Sequence, residues 1–211
     1  MIPELKICGM KHNVSEVASL QPDYLGFIFY DRSKRNFDGE IPQLPSGVQK
    51  VGVFVNAPLE NISEKIKKYQ LDVIQLHGEE TPQFCAQLRT ANFQSENGPV
   101  SIWKVFGIGE GFNFSQLAPY EGFADRFLFD TAGEAKGGNG YPFNWDTLSG
   151  YSSETPLVLS GGISAEKIPQ IKAILKTPIP LVALDINSRF EIKPGLKDIE
   201  KIKKFTHELS R

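Results

Sequence analysis

Eight short apolar runs, each followed by a longer amphipathic or irregular stretch, predict an α/β fold of the (β/α)8 TIM-barrel kind. That fold is a parallel eight-stranded barrel with outer helices. Two further observations support it. Polar and reactive residues gather where the apolar runs end, and such barrels concentrate function at the C-terminal ends of their strands. The chain has 211 residues, close to the least that closes eight such units. No composition break or low-complexity segment divides it, so one domain over 1–211 is expected. A doubly wound open sheet is the alternative. It is disfavoured because Gly9-Met10-Lys11-His12-Asn13, after the first run, lacks the glycine-rich dinucleotide fingerprint.

The elements follow in order. Leu5–Cys8 reads as the first strand and Val14–Leu20 as a short helix. Tyr24–Phe29 is a second strand, continuously apolar as strands buried on both faces tend to be. Ile41–Pro45 is irregular or a short helix, and Lys50–Val55 is the third strand. Leu59–Tyr69 carries apolar residues at Leu59, Ile62, Ile66 and Tyr69, a helical period. Val73–Leu76 is the fourth strand. Thr81–Thr90 is a helix with Thr81 as cap and Pro82 at its first position. Val100–Phe106, Arg126–Asp130, Pro156–Ser160 and Pro180–Asp185 are strands five to eight. The helices between and after them are Phe114–Tyr120, Trp145–Ser149, Ala165–Leu175 with Ser164 as candidate cap, and Leu196–Leu209.

Composition excludes several classes. Hydrophobic content of 40% and charged content of 23% are those of a globular chain, not a disordered one. With 23 Lys and Arg against 25 Asp and Glu, a nucleic-acid partner is not expected. No apolar run approaches the ~20 residues needed to span a bilayer, so no membrane partner is expected. The N-terminus lacks the basic and apolar pattern of a secretory signal. Two cysteines suggest a reducing compartment, and the expected location is cytoplasmic.

Strand ends supply the candidate site. Cys8 closes Lys6-Ile7-Cys8-Gly9; an intracellular Cys is more often a small buried hydrophobe than a catalyst. At a strand end before Gly, its thiolate can serve as base or nucleophile if nearby cations lower its pKa. Cys85, mid-helix between Phe84 and Ala86, reads as structural. Asp130 either caps the turn that follows it or acts as a general acid, its pKa raised by partial desolvation. Strands one and six place Cys8 and Asp130 across the barrel mouth from each other.

Anion binding has its own candidates. Ser160-Gly161-Gly162-Ile163-Ser164 leaves backbone N–H groups uncovered ahead of a helix, and Asn187-Ser188-Arg189 supplies donors after strand eight. Barrels often bind phosphate with these two loops. Gly161, Gly162, Ser188 and Arg189 are therefore the expected phosphate ligands. Arg35 is either part of a solvated basic loop or the partner of a substrate carboxylate, which Arg binds bidentately. His77 ends strand four as a structural or a substrate-binding residue, and Asp185, at the end of strand eight, is expected to bind substrate. No His, Cys, Asp and Glu spacing fits a metal site. Gly137-Gly138-Asn139-Gly140 reads as a flexible loop that can act as a lid on the Asp130 side.

These motifs together resemble one family. Lys6-Ile7-Cys8-Gly9, Gly26-Phe27-Ile28-Phe29 with Ser33-Lys34-Arg35, Val51-Gly52-Val53-Phe54-Val55-Asn56 and Gln75-Leu76-His77-Gly78-Glu79 are similar to phosphoribosylanthranilate isomerases. So are Phe129-Asp130-Thr131, Ser160-Gly161-Gly162-Ile163 and Pro194-Gly195-Leu196-Lys197-Asp198, in the family's order across nearly the whole chain. The resemblance implies an Amadori rearrangement in tryptophan biosynthesis with no cofactor, on a small phosphorylated substrate. It implies Asp130 as the acid that opens the furanose ring and Cys8 as the base at C2. Arg35 would hold the anthranilate carboxylate, and Gly161 and Gly162, with the loop after Asp185, the phosphate. Three places depart from the family pattern. Lys34 stands where Pro is frequent, which leaves Arg35 less pre-set. Arg189 stands where Gly is usual, although only Gly takes φ > 0 freely. The loop over Gly133–Tyr141 differs too.

Rival readings are a barrel enzyme decarboxylating another phosphorylated sugar, which commonly needs a site Lys, and a catalytically silent binding barrel. No strand ends in Lys; Lys6 lies deeper than Cys8, and Lys104 is inside strand five. A monomer is expected.

Overall fold

In the computed structural model, residues 2–109, 111–131 and 144–211 are described. Eight parallel strands close a barrel. They are β1 (Glu4–Cys8), β2 (Tyr24–Phe29), β3 (Gln49–Phe54), β4 (Val73–Leu76), β5 (Ser101–Ile108), β6 (Arg126–Thr131), β7 (Leu157–Leu159) and β8 (Leu181–Ile186). Each pairs with its chain neighbours, and β1 pairs with β8 from Glu4–Ala183 to Ile7–Ile186 to complete the ring. The predicted barrel is the observed one, with strand ends shifted by a residue or two.

The two faces of each strand meet different surroundings. Side chains alternate along a strand, so every second residue points inward. Val51, Val53, Val73, Trp103, Val105, Leu128, Val158 and Ala183 fill the interior with Cys8 and Tyr24. The intervening residues, such as Ile7, Leu25, Phe54, Ile74, Phe127 and Leu184, pack under the outer layer. At the N-terminal end, Arg126 bonds Glu4 and lies over the rings of Trp103 at 5.0 Å and Tyr24 at 5.5 Å. That closes the barrel floor, so access is from the C-terminal mouth.

Three aspartates repeat one device below the strands. Asp23, Asp72 and Asp125 immediately precede β2, β4 and β6. Each accepts, at 2.7 Å, a backbone N–H from the strand before its own: Leu5, Lys50 and Ile102. Asp72 is buried and also accepts from Ser95 Oγ and Asn97 Nδ2 at 2.8 Å.

The outer layer departs from eight regular helices. α1 (Val14–Ala18), α2 (Leu59–Tyr69), α3 (Pro82–Ala91), α4 (Ile168–Ile174) and α5 (Ile199–Ser210) are α-helical. α2 buries Ile62, Ile66 and Tyr69 as its period predicts, and Thr81 Oγ1 caps α3 by accepting from Phe84 N–H. The long segment after β2 is irregular, not helical. Phe37 N–H bonds Ile28 O at 2.8 Å, and its ring packs with Phe27, Phe29 and Tyr69. One aromatic cluster thus covers the strands in place of a helix.

Phe114–Tyr120, with Pro119 inside it, and Trp145–Gly150 are 3-10 turns. The expected helix 165–175 splits into a 3-10 turn over Ala165–Lys167 and then α4. Ser164 makes no capping bond there, so that expectation fails. The final helix begins at Ile199, capped by Asp198, because Leu196–Lys197 pairs instead with Glu191–Lys193 in a short antiparallel ribbon. A second such ribbon joins Gln94–Ser95 to Gly98–Pro99. The expected lid at 137–140, and the departing loop 133–141, lie outside the described residues. No helix among the described residues is long and apolar enough to cross a membrane.

Candidate active site

The period-two alternation that builds the core also builds the site. On β1 the inward residues are Glu4, Lys6 and Cys8; on β6 they are Arg126, Leu128 and Asp130; on β8, Ala183 and Asp185. The last inward residue of each strand reaches the mouth. One pocket there is lined by Cys8, Arg35, His77, Asp130, Gly161, Gly162, Asp185, Ser188 and Arg189. All nine residues singled out from the sequence meet in it. Tyr30, Ser33, Gln75, Thr131, Ser160 and Asn187 join them.

Asp130 is partly buried at the pocket wall. Burial pushes its carboxyl up to about 6, against the opposing hydrogen bond from Thr131 N–H to Oδ1 at 2.8 Å. His77 Nε2 lies 3.7 Å from Asp130 Oδ2, outside hydrogen-bond range. On its other side His77 Nδ1 is 3.4 Å from Gln75 Nε2.

Cys8 departs from expectation. Cations do surround it, since Lys6 and Lys197 both pull its pKa down, yet burial outweighs them and the thiol is pushed up. In the resting protein Cys8 is therefore a protonated thiol. Lys6 is fully buried, and its ammonium donates to Asp185 Oδ2 at 2.8 Å. Burial alone would lower the Lys6 pKa, but the Asp185 carboxylate chiefly holds it above its ordinary value, and a Cys8 thiolate would add to that. The thiol thus sits beside a permanent cation ready to balance a thiolate. Asp185 Oδ1 is buried and has no partner among the described residues, which leaves an acceptor at the pocket wall.

Backbone geometry shapes the anion side. Gly161 and Gly162 both take positive φ, +74° and +73°. That conformation is left-handed and open to glycine at little cost. A Cβ on Gly161 would lie 2.7 Å from Thr131 N and 2.9 Å from Asp130 Oδ1. Ser188–Phe190 forms a 3-10 turn after the neighbouring strand β8 and lines the same pocket, and no residue of it takes positive φ. The backbone conflict expected at Arg189 therefore does not arise.

Arg35 is fixed without a neighbouring proline. Its N–H bonds Ser33 Oγ at 3.1 Å, and its guanidinium grips Glu191, with Nη2 2.7 Å from Oε2. Lys6, Glu191 and Lys197 stand behind the pocket lining and bond to its residues, a support that the strand-end argument does not reach. For Lys6 the signal was present: it shares the inward phase of Cys8 on one strand. Glu191 and Lys197 sit on a ribbon of two very short strands that leaves no periodic mark.

A closed parallel barrel with a carboxyl, a thiol and an arginine at its C-terminal mouth is the framework of an acid–base enzyme for a small anionic substrate. Comparison with known proteins sharpens that class. The model of the family described as "PRAI: N-(5'phosphoribosyl)anthranilate (PRA) isomerase" matches residues 5–208. A relative from Parabacteroides distasonis called N-(5'-phosphoribosyl)anthranilate isomerase is 42% identical over 97% of this chain and 92% of its own. The crystal structure of phosphoribosyl anthranilate isomerase from Thermotoga maritima aligns with TM-score 0.82 and 29% identity, covering 99% and 98% of the two chains. A structure of such an isomerase in complex with reduced 1-(o-carboxyphenylamino)-1-deoxyribulose 5-phosphate aligns at 0.80, with the same identity and coverage. This chain belongs to the N-(5'-phosphoribosyl)anthranilate isomerase family.

Proposed function

We propose that the chain converts N-(5-phospho-D-ribosyl)anthranilate into 1-(2-carboxyphenylamino)-1-deoxy-D-ribulose 5-phosphate, with Asp130 as general acid and Cys8 as general base. The observation that carries the residue roles is the placement of a carboxyl raised to about 6 and a cation-flanked thiol at the inward ends of β6 and β1, in one pocket. Neutral Asp130 protonates the furanose ring oxygen. The anilino nitrogen lone pair then expels that oxygen from C1 and leaves an iminium. The Cys8 thiolate removes the C2 proton, the electron pair flows to nitrogen, and an enolamine forms. Tautomerisation of the enolamine gives the 2-keto product. Apart from the opening of the C1–O bond, the steps are proton transfers: one proton leaves Asp130, one arrives on Cys8, and Lys6 supplies the counter-charge for the thiolate.

The remaining roles follow from position. Gly161 and Gly162 with Ser188 and Arg189 bind the phosphate, by backbone N–H groups and added positive charge. Arg35 holds the anthranilate carboxylate. Asp185 Oδ1, the buried acceptor without a partner among the described residues, takes a sugar hydroxyl, and His77 lines the wall beside Asp130. Lysine is absent from the described pocket lining, which counts against a lysine-based decarboxylase. The chain acts as a single barrel domain over 1–211, as a monomer, in the cytoplasm, within tryptophan biosynthesis.

Cys8→Ala and Asp130→Asn test the assignment. Each should lower kcat by at least ~10²-fold, the usual contribution of a positioned acid or base, while thermal melting still reports a folded chain. Near-normal turnover in either folded variant would remove that residue from the mechanism.

A further inference from the structure

A buried charge cluster adjoins the pocket and has no part in the proton transfers. Its centre is Glu191, whose side chain is 4% exposed. Arg35, from the loop after β2, places Nε 2.9 and 3.0 Å from the two carboxylate oxygens and Nη2 2.7 Å from Oε2. Lys197, from the ribbon after β8, donates to Oε1 at 2.8 Å, and the Gly195 N–H donates to the same oxygen at 3.0 Å. Lys197 also donates to Asn187 Oδ1 at 2.8 Å. Burial works against the ionised form of Glu191, but the bonds from Arg35 and the Lys197 charge carry its pKa below the ordinary value.

The geometry separates the two edges of one guanidinium. Arg carries five N–H donors in a rigid planar fork. Glu191 occupies the side-on edge, Nε with Nη2. The end-on edge, Nη1 with Nη2, is the other place where a carboxylate can bind bidentately, and Arg35 lines the pocket.

We infer that Glu191 is a positioning residue for substrate choice: it grips the side-on edge of Arg35 so that the end-on edge meets a carboxylate carried on the substrate's aromatic ring. The inference rests on the reading that Arg35 binds that carboxylate. Counting charge supports it. Arg35 and Lys197 bring two positive charges and Glu191 one negative, which leaves the cluster one positive charge for one ligand carboxylate. Glu191 also holds a side chain rich in rotamers, so ordering the arginine need not be done at the moment of binding. Through Lys197 and Asn187 the same network reaches the loop of Ser188 and Arg189, so the two anionic ends of the substrate are registered against each other.

The test compares kcat/KM for phosphoribosylanthranilate with that for N-(5-phosphoribosyl)aniline, which lacks the carboxylate. Wild type, Glu191→Gln, Glu191→Asp and Arg35→Ala are measured side by side. Misplacing a binding group by about 1 Å can cost ~10²-fold, so Glu191→Gln should narrow the preference for the carboxylated substrate by roughly 10- to 100-fold, chiefly through KM. Glu191→Asp, which keeps the charge, should retain more of the preference. If Arg35→Ala loses the preference and Glu191→Gln keeps it, the positioning role is wrong and the carboxylate reading stands. If Arg35→Ala keeps it, the carboxylate reading fails and this inference falls with it. Equal losses on both substrates in Glu191→Gln mark a structural role and overturn the proposal. Should Glu191→Gln not fold, Glu191→Ala carries the test: a narrowed preference supports the role and an unaltered one overturns it.

Discussion

Asp130 and Cys8 are tuned in the same direction by the same cause, and that has a consequence for pH. Burial favours the neutral form of each, raising the carboxyl to about 6 and the thiol above its ordinary value. The proposed mechanism needs neutral Asp130 with ionised Cys8. That pair of states is a minority at neutral pH, and its population is flat between the two pKa values. Below about pH 6 it falls as Cys8 ionises less while Asp130 is already protonated. A plot of kcat/KM against pH should therefore show an acid limb near 6 and a plateau above it. A profile with no inflection between pH 5 and 7 would contradict the environment assigned to Asp130. The same group leaves a mark on stability. Its folded pKa lies above its unfolded value of 3.8, so its stabilising contribution is full below that value and is lost as pH rises through about 6. Asp130→Asn, which cannot ionise, should be more stable than wild type at pH 8 by about 3 kcal/mol, from ~2 units at 1.36 kcal/mol each. Denaturant melts at pH 4 and pH 8 check this: the gain should be present at pH 8 and vanish at pH 4.

Strands and loops set where those residues stand. Asp72 accepts from Lys50 N–H and from two side chains while buried, so Asp72→Ala strands a strand's donor at the barrel floor. The cost should be roughly 1–3 kcal/mol in a urea melt, the range for a buried group left unsatisfied. No change would show that the repeated aspartates are not structural. At the other end of the barrel, Gly161→Ala would force a side chain into a φ of +74° and against Asp130 Oδ1. Turnover should fall by about 10²-fold as the acid is displaced, with a smaller change in melting temperature; turnover near wild type would mean the loop relaxes freely. The strands were legible in the sequence because both faces of a barrel strand are buried and the runs are continuously apolar, as Tyr24–Phe29 shows. The segment after β2 reads as irregular or a short helix and is irregular, but the packing of Phe37 in place of a helix leaves no mark in the sequence, because one ring has no period. Leu196–Lys197, the second strand of the ribbon with Glu191–Lys193, reads from the sequence as the start of the last helix, since Leu196 falls on that helix's apolar face. Cys8 and Asp130 are legible as pocket residues because strand ends gather at the mouth of a barrel. The rise of the Cys8 pKa was not foreseen, because burial at the mouth depends on residues far apart in sequence.

Across the whole molecule, the small net charge of −2 hides an uneven interior. Lys6, Lys104 and Lys197 are buried with carboxylate partners Asp185, Glu80 and Glu191, and two of those pairs flank the pocket. Such pairs are costly to desolvate and add little net stability, so their placement beside the site fits a role in chemistry. Floor, wall and mouth then form one directed cavity: Arg126 closes the bottom, the valines and Trp103 fill the middle, and titratable groups crowd the open end. The central claim is that this mouth isomerises phosphoribosylanthranilate. Anthranilate-type fluorescence followed during incubation of the purified chain with freshly made phosphoribosylanthranilate tests it most directly, with the product identified as the carboxyphenylamino ketose phosphate. The account predicts signal loss far above the uncatalysed rate, and loss at the uncatalysed rate would contradict it.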